Sequence, residues 1–250
     1  SGASYNAAIG GSALADLTTG TFNVGLGDGA GANITTASYN TALGASSLLF
    51  NTTGASNTAV GQNALRANTT ASNNTAVGYK AGYAVTTGAL NTLVGSGAGD
   101  ALTDADSNVA IGYLSLTTDT LGSRSIAIGQ GALYSQNFTT GTNSYNVAVG
   151  YEAGGAITTG TRNTLIGGSA GDALTVGQRN VVIGTDALSA DTQGSRSVAI
   201  GQAALANQNF TSATDNYNVA VGFQAGVNVS TGIKNTFIGG LSGDATTTAE

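Results

Sequence analysis

Residues 57–61 read Asn-Thr-Ala-Val-Gly, and residues 74–78 repeat the same five residues 17 positions later. The phrase or a close variant begins at Asn6, Asn23, Asn40, Asn57, Asn74, Asn91, Asn108, Ser125, Asn146, Asn163, Asn180, Ser197, Asn218 and Asn235. Every step is 17 residues except 125 to 146 and 197 to 218, which are both 21. A period of this size predicts a solenoid, in which each repeat is one coil that buries apolar surface only against its neighbours. The 250 residues then form a single elongated repeat domain rather than the compact domains that length alone suggests. The repeat runs from Asn6 to the last residues without atypical coils at either end, which predicts a piece of something longer.

The phrase itself reads as a strand. Its fourth position is always Val, Ile or Leu, and its second is β-branched in every copy but the first. Positions two and four share one face by the two-residue period, and they are expected to form the interior. The third position, usually Ala, points the other way, toward a close neighbour. Where it becomes Leu93, Leu165 and Phe237, at a spacing of 72, it is expected to plug an oligomer axis. The fifth position is Gly in every copy, which implies a backbone torsion or close approach that a side chain forbids. Ala or Ser three residues later, always followed by Leu or Gly, is expected to open a second, shorter strand. Thr stands twelve residues after the opening residue in most copies and marks the return turn. Stacking at about 4.8 Å makes an amide ladder of the Asn column and a hydroxyl ladder of the Thr column.

Composition narrows the function. The chain has 39 Gly, no Pro, Cys, His, Met or Trp, and a net charge of −6. An acidic surface gives a phosphate backbone nothing to hold, so nucleic acid is not expected as a partner. Without His or Cys there is no ready general base or nucleophile, and the acids are mostly a coil apart, so no enzyme is predicted. Asp104 and Asp106 are the densest acidic pair, and two carboxylates alone do not make a calcium site. No metal or cofactor is expected, and no apolar run reaches the ~20 residues that cross a bilayer.

Three features stand out as recognition candidates. The two longer steps carry near-identical insertions, near 134–145 and 206–217, with Gln136-Asn137-Phe138-Thr139 and Tyr145, and Gln208-Asn209-Phe210-Thr211 and Tyr217. Loops on a rigid scaffold are common binding sites, although Phe138 and Phe210 can equally pin the loop to the coil. The position before the opening residue holds Arg124, Arg162, Arg179, Arg196 and Lys234. Arg162, Arg179 and Arg196 fall in consecutive coils, which suggests either an anion-binding strip or salt bridges to Glu152, Asp172, Asp186 and Asp191. In the first coils the same column is Tyr5, Phe22 and Tyr39, rings that can stack on sugars or cover the edge of the coil.

Asn108-Val109-Ala110-Ile111-Gly112, Ser125-Ile126-Ala127-Ile128-Gly129 and Ser197-Val198-Ala199-Ile200-Gly201 resemble the head repeats of YadA-type trimeric autotransporter adhesins. Residues 74–82, Asn-Thr-Ala-Val-Gly-Tyr-Lys-Ala-Gly, also resemble repeats of trimeric phage tail fibres and of fibres from predatory bacteria. The resemblance implies an all-β, left-handed parallel β-roll of about fourteen 17-residue coils, assembled as an intertwined or side-by-side homotrimer. It implies a segment of an extracellular or outer-membrane surface fibre, or of a phage virion fibre, that attaches to a cell-surface glycan or matrix protein or acts as a passive spacer. The coil here is longer than the family's usual repeat. Neighbouring pairs such as Thr52-Thr53 and Thr69-Thr70 raise a third reading, an ice-binding solenoid, but adjacent residues face opposite sides of a strand.

Overall fold

The computed structural model describes residues 2–248. The fold is an all-β parallel solenoid of about fourteen coils of some 17 residues, with no helix among the described residues. Its contacts gather into two compact units, one of residues up to 124 with 138–142, the other of residues 125–137 with those from 143 onward.

In the first unit the strands Ala7–Ile9, Val24–Leu26, Thr41–Leu43, Thr58–Val60, Thr75–Val77, Thr92–Val94 and Val109–Ile111 pair in parallel. The register is one whole repeat, so that Ala59 faces Ala76 and Val60 faces Val77. In the second unit Ile126–Ile128, Val147–Val149, Thr164–Ile166, Val181–Ile183, Val198–Ile200, Val219–Val221 and Thr236–Ile238 do the same. Register survives the 21-residue step, for Val198 pairs with Val219 and Ala199 with Ala220. The extra residues are taken up by a side pairing of Gly194–Ser195 with Thr214–Asp215.

Two backbone devices limit each strand to three residues. The residue before the opening Asn or Ser is left-handed in all coils, from Tyr5 at φ 60° to Lys234 at φ 59°. Such torsions are costly for L-residues and persist only where the surroundings fix them. Here the amide of that residue donates to the preceding coil, as Tyr39 N does to Thr21 O at 3.0 Å and Arg162 N to Ser144 O at 2.8 Å. At the other end Gly61 has φ +127°, and a Cβ there would lie 2.5 Å from Gly78 O. The Gly column is therefore required twice over, by torsion and by the stacked coil.

Among the described residues the expected second strand, opening at the Ala or Ser three residues after each Gly, does not form. The segment after each Gly is a run of turns whose amides bond outward to the next coil, as Leu65 N does to Ala81 O and Ala67 N to Tyr83 O. Left-handed torsions at Asn63 and Leu65 prevent an extended conformation there.

The faces of the strand are the reverse of those expected. Ala42, Ala59, Ala76, Ala110, Ala127 and Ala148, all at the third position, are fully buried inside the coil. Positions two and four point outward and are half-buried or exposed, with Ile9, Leu26, Ile111, Ile166 and Ile238 among the exposed residues. A strand followed by tight turns leaves a narrow interior that Ala fills in most coils, with Val182 fully buried at the same position in one. Leu93 and Leu165 are likewise fully enclosed in their own chain, so they cannot plug an axis shared between chains. Phe237 turns the same way, its ring against Gly226 and Gly243.

These large residues fit because the interior is complementary from column to column. In six of the seven coils where the residue eight after the opening one is Leu, namely Leu48, Leu65, Leu116, Leu133, Leu188 and Leu205, the residue three further on is polar: Asn51, Asn68, Asp119, Gln136, Asp191 and Gln208; the first coil, with Leu14 and Leu17, is the exception. Where the residue eight after the opening one is Gly, as in Gly31, Gly82, Gly99, Gly154, Gly171 and Gly226, the later residue is Ile34, Val85, Leu102, Ile157, Leu174 or Val229. Leu93 lies over Gly82 and Gly99, and Leu165 over Gly154 and Gly171.

The Asn column forms a buried amide ladder. Asn57 Nδ2 donates to Asn40 Oδ1 at 3.2 Å and to Ala71 O at 2.8 Å, and Asn57 N donates to Asn40 Oδ1 at 3.0 Å. The Thr column differs from expectation: its hydroxyls bond backbone carbonyls of the next coil, as Thr52 Oγ1 does to Thr69 O at 3.0 Å, rather than each other.

Candidate functional site

Each unit carries a uniform outward strand face. In the first unit it carries Val24, Leu26, Thr41, Leu43, Thr58 and Val60 and continues in kind to Ile111; in the second it runs from Ile126 to Ile238. No position on it holds a charged residue. Parallel sheets are ordinarily covered on both faces, so a parallel face left open along a whole unit is a surface to be covered.

A second surface is the column before the opening residue. In the first unit Tyr5, Phe22 and Tyr39 stack on one another, with centroids 4.9 and 5.3 Å apart and planes within 5°. Stacking covers the facing sides of the rings, and the row stays exposed along its edges and at its ends, with Tyr5 78% and Tyr39 62% exposed.

In the second unit the column holds Tyr145, Arg162, Arg179, Arg196, Tyr217 and Lys234. Arg162 and Arg179 are exposed. Arg196 Nε lies 2.8 Å from Asp215 Oδ1, an ion pair by distance whose N–H does not point along the line to the oxygen. The carboxylate beside it raises the guanidinium pKa, and its carbon lies 5.4 Å from the Tyr217 ring centroid. Gln178, Arg179, Ser195, Arg196, Thr214 and Asp215 line a shallow groove here.

The acid that meets this column is thus Asp215, from the insertion, and not Glu152, Asp172, Asp186 or Asp191. Asp191 is buried in the coil, where its carboxylate accepts from Gly194 N, Phe210 N and Gln208 Nε2. Burial raises its pKa against those hydrogen bonds. Asp172 is raised first by its own partial burial and then by the charges of Asp186 and Glu152, with which it forms a separate acidic surface.

The insertions bring less to the surface than their sequence suggests. Phe138 and Phe210 are only 6% and 7% exposed, so they pin the loop and present no ring to a ligand. Tyr145 and Tyr217 remain about half exposed, at 46% and 48%. Gln136 and Gln208 are fully buried, and they mend the amide ladder where Ser replaces Asn. Gln208 Nε2 donates to Ser197 Oγ at 3.0 Å and Gln208 Oε1 accepts from Asn218 Nδ2 at 2.7 Å; Gln136 serves Ser125 and Asn146 in the same way. Reading the 17-residue columns at the Ser coils, where Gln and Ser change together, is the signal that would have shown this.

A cluster the sequence reading did not single out lies in the first unit, on three consecutive coils. Arg66 packs its guanidinium 4.7 Å from the Phe50 ring centroid and 5.8 Å from that of Tyr83, and Lys80 lies 5.3 and 5.4 Å from Tyr79 and Tyr83. Comparison with protein-family models, curated proteins and solved structures found no match to this chain.

Proposed function

We propose that the protein is an adhesive or structural segment of an extracellular homotrimeric surface fibre, in which the outward strand faces of three copies pack on one another. The observation that carries this reading is the uncharged Val, Ile, Leu and Thr face, open along each unit of a parallel solenoid. Burying such a face is worth roughly 25 cal/mol per Å² of apolar surface, and its repeat from coil to coil matches a second copy of itself. Because no charge stands on it, copies of a chain with net charge −6 meet there without opposing like charges. The sequence resemblance to trimeric adhesin heads and tail-fibre repeats supports three copies and a left-handed coil. On this reading attachment to a cell surface or matrix uses the column just ahead of each strand, where Arg162, Arg179, Tyr145 and Tyr217 are exposed.

A passive spacer is the second reading, favoured by the burial of Phe138 and Phe210. Light scattering coupled to size exclusion tests the assembly: the 24.3 kDa chain should elute at three times its mass. A monomer at micromolar concentration sinks the fibre reading. Binding of the labelled trimer to cells separates attachment from spacing.

A further inference from the structure

We infer that Phe50, Arg66, Tyr79, Lys80 and Tyr83 form a binding patch for a carboxylated polysaccharide. The assignment rests on the attachment reading and gives it a ligand class.

The argument starts from how the two cations are held. Arg66 lies over Phe50 with its guanidinium 4.7 Å from the ring centroid, and its Nη1 donates to Tyr83 Oη at 3.4 Å. Lys80 is placed between two tyrosines, Tyr79 and Tyr83. Aromatic contacts attract cations through the ring quadrupole without neutralising them. The single ion pair found among the described residues is Arg196–Asp215, so neither Arg66 nor Lys80 is paired with a carboxylate. A guanidinium held over a ring keeps its charge, and its N–H fork is the group that matches a carboxylate with two parallel bonds. Both side chains are half-buried and already ordered by the rings, which lowers the entropy lost on binding.

The rings supply the second element of the site. Phe50 and Tyr79 are 40% and 50% exposed, which leaves apolar area beside the cations. Sugar rings carry C–H faces that pack on aromatic surface, and uronic acids add a carboxylate on the same ring. Two positive groups around one tyrosine, Tyr83, fit successive acidic residues of a chain better than a single small anion. The chain as a whole carries a net charge of −6, and Arg66 and Lys80 are cations that stand beside exposed aromatic area.

Binding of the full chain to immobilised polygalacturonate at physiological ionic strength tests this, with neutral dextran and dextran sulfate as comparison surfaces. The wild type should be retained by polygalacturonate and not by dextran. Arg66→Gln and Lys80→Gln should each weaken retention by roughly tenfold, the scale of a charge-assisted hydrogen bond. Arg66→Lys should also weaken it, because the charge stays while the fork is lost. Unchanged melting curves for these variants would show that the coil is intact. The patch is overturned if the wild type ignores polygalacturonate, if the variants bind it as the wild type does, or if Lys234→Gln, which removes a cation outside the patch, weakens it as much. Equal retention of wild type and variants on dextran sulfate and polygalacturonate alike means general ion exchange and also overturns it. Cells that retain wild type and variants equally overturn the patch while leaving attachment standing.

Discussion

Asn218 Nδ2 donates to Gln208 Oε1 at 2.7 Å, in the place where an Asn one coil earlier accepts it elsewhere in the ladder. Gln208 also donates to Ser197 Oγ and Asp191 Oδ2, so one amide joins three buried groups across the 21-residue step, beside the bonds that Ser197 Oγ makes to Asn216 Oδ1 and Asn218 Nδ2 to Gly232 O. Gln208→Ala should therefore destabilise the second unit by about 1–3 kcal/mol, the cost of withdrawing the amide from buried polar groups, the Asp191 carboxylate above all. Chemical denaturation is the measurement. A loss below about 1 kcal/mol would mean that water replaces the amide and that the ladder needs no repair.

The complementary interior makes a sharper case. Leu93→Ala removes a fully buried side chain and should cost about 2–5 kcal/mol. Gly82→Leu alone should also destabilise, because a Cβ there would lie 2.7 Å from Leu93 and 2.9 Å from Leu65. Leu is compatible with the torsion, for Gly82 has φ 59° and Leu65 occupies the equivalent site at φ 47°. Gly82→Leu and Val85→Asn give the coil of Ala76 the pattern of its neighbour, with Ala59, Leu65 and Asn68, and Leu93→Ala in the next coil removes the side chain that Leu at 82 would meet. The triple variant should recover most of the stability lost by the single changes in thermal melts. Additive losses would contradict the complementarity.

The solenoid and its parallel strands were legible from the 17-residue period, and the amide ladder from the constancy of Asn. The inside of the coil was not. Val and Ile at positions two and four read as core by hydrophobicity alone, yet Ala59 and Ala76 are the buried residues. What decides the matter is the width of the coil, and that depends on left-handed torsions at residues such as Ser56 and Asn63, which no composition rule reveals. The candidate site suffered in the same way. Phe138 reads equally as a loop-tip aromatic or as a pin, and the pin is what forms, because its partners, the amide-bonded Asp119 and the carbonyl-bonded Thr120, lie 19 and 18 residues away in an adjacent turn.

The reversed faces separate fold from assembly. Ala148→Asp places a charge where the side chain is fully buried and should unfold the coil, with a loss of several kcal/mol. Val149→Asp, one residue on, points outward from a half-buried position and should leave the chain folded. On the proposed trimer it should dissociate the assembly. Circular dichroism with light scattering distinguishes the two: a folded monomer for Val149→Asp supports the outward face as the interface. An intact trimer places the contact elsewhere.

Asp191 supplies a pH signature of the interior. Burial raises its carboxyl above the ordinary value of 3.8 despite bonds from Gln208 and the amides of Phe210 and Gly194. The folded chain therefore holds this proton to higher pH than the unfolded chain does. Its contribution to stability is fully present below 3.8 and is lost as pH rises through the folded value. Wild type should thus gain stability relative to Asp191→Asn as the pH is lowered from 7 toward 4, the reverse of a carboxylate held by a salt bridge. Paired denaturation curves across that range give the difference directly, free of the other acids common to both proteins. A difference that moves against the wild type on acidification would mean that the hydrogen bonds outweigh burial, with the Asp191 carboxyl held below its ordinary value inside the coil.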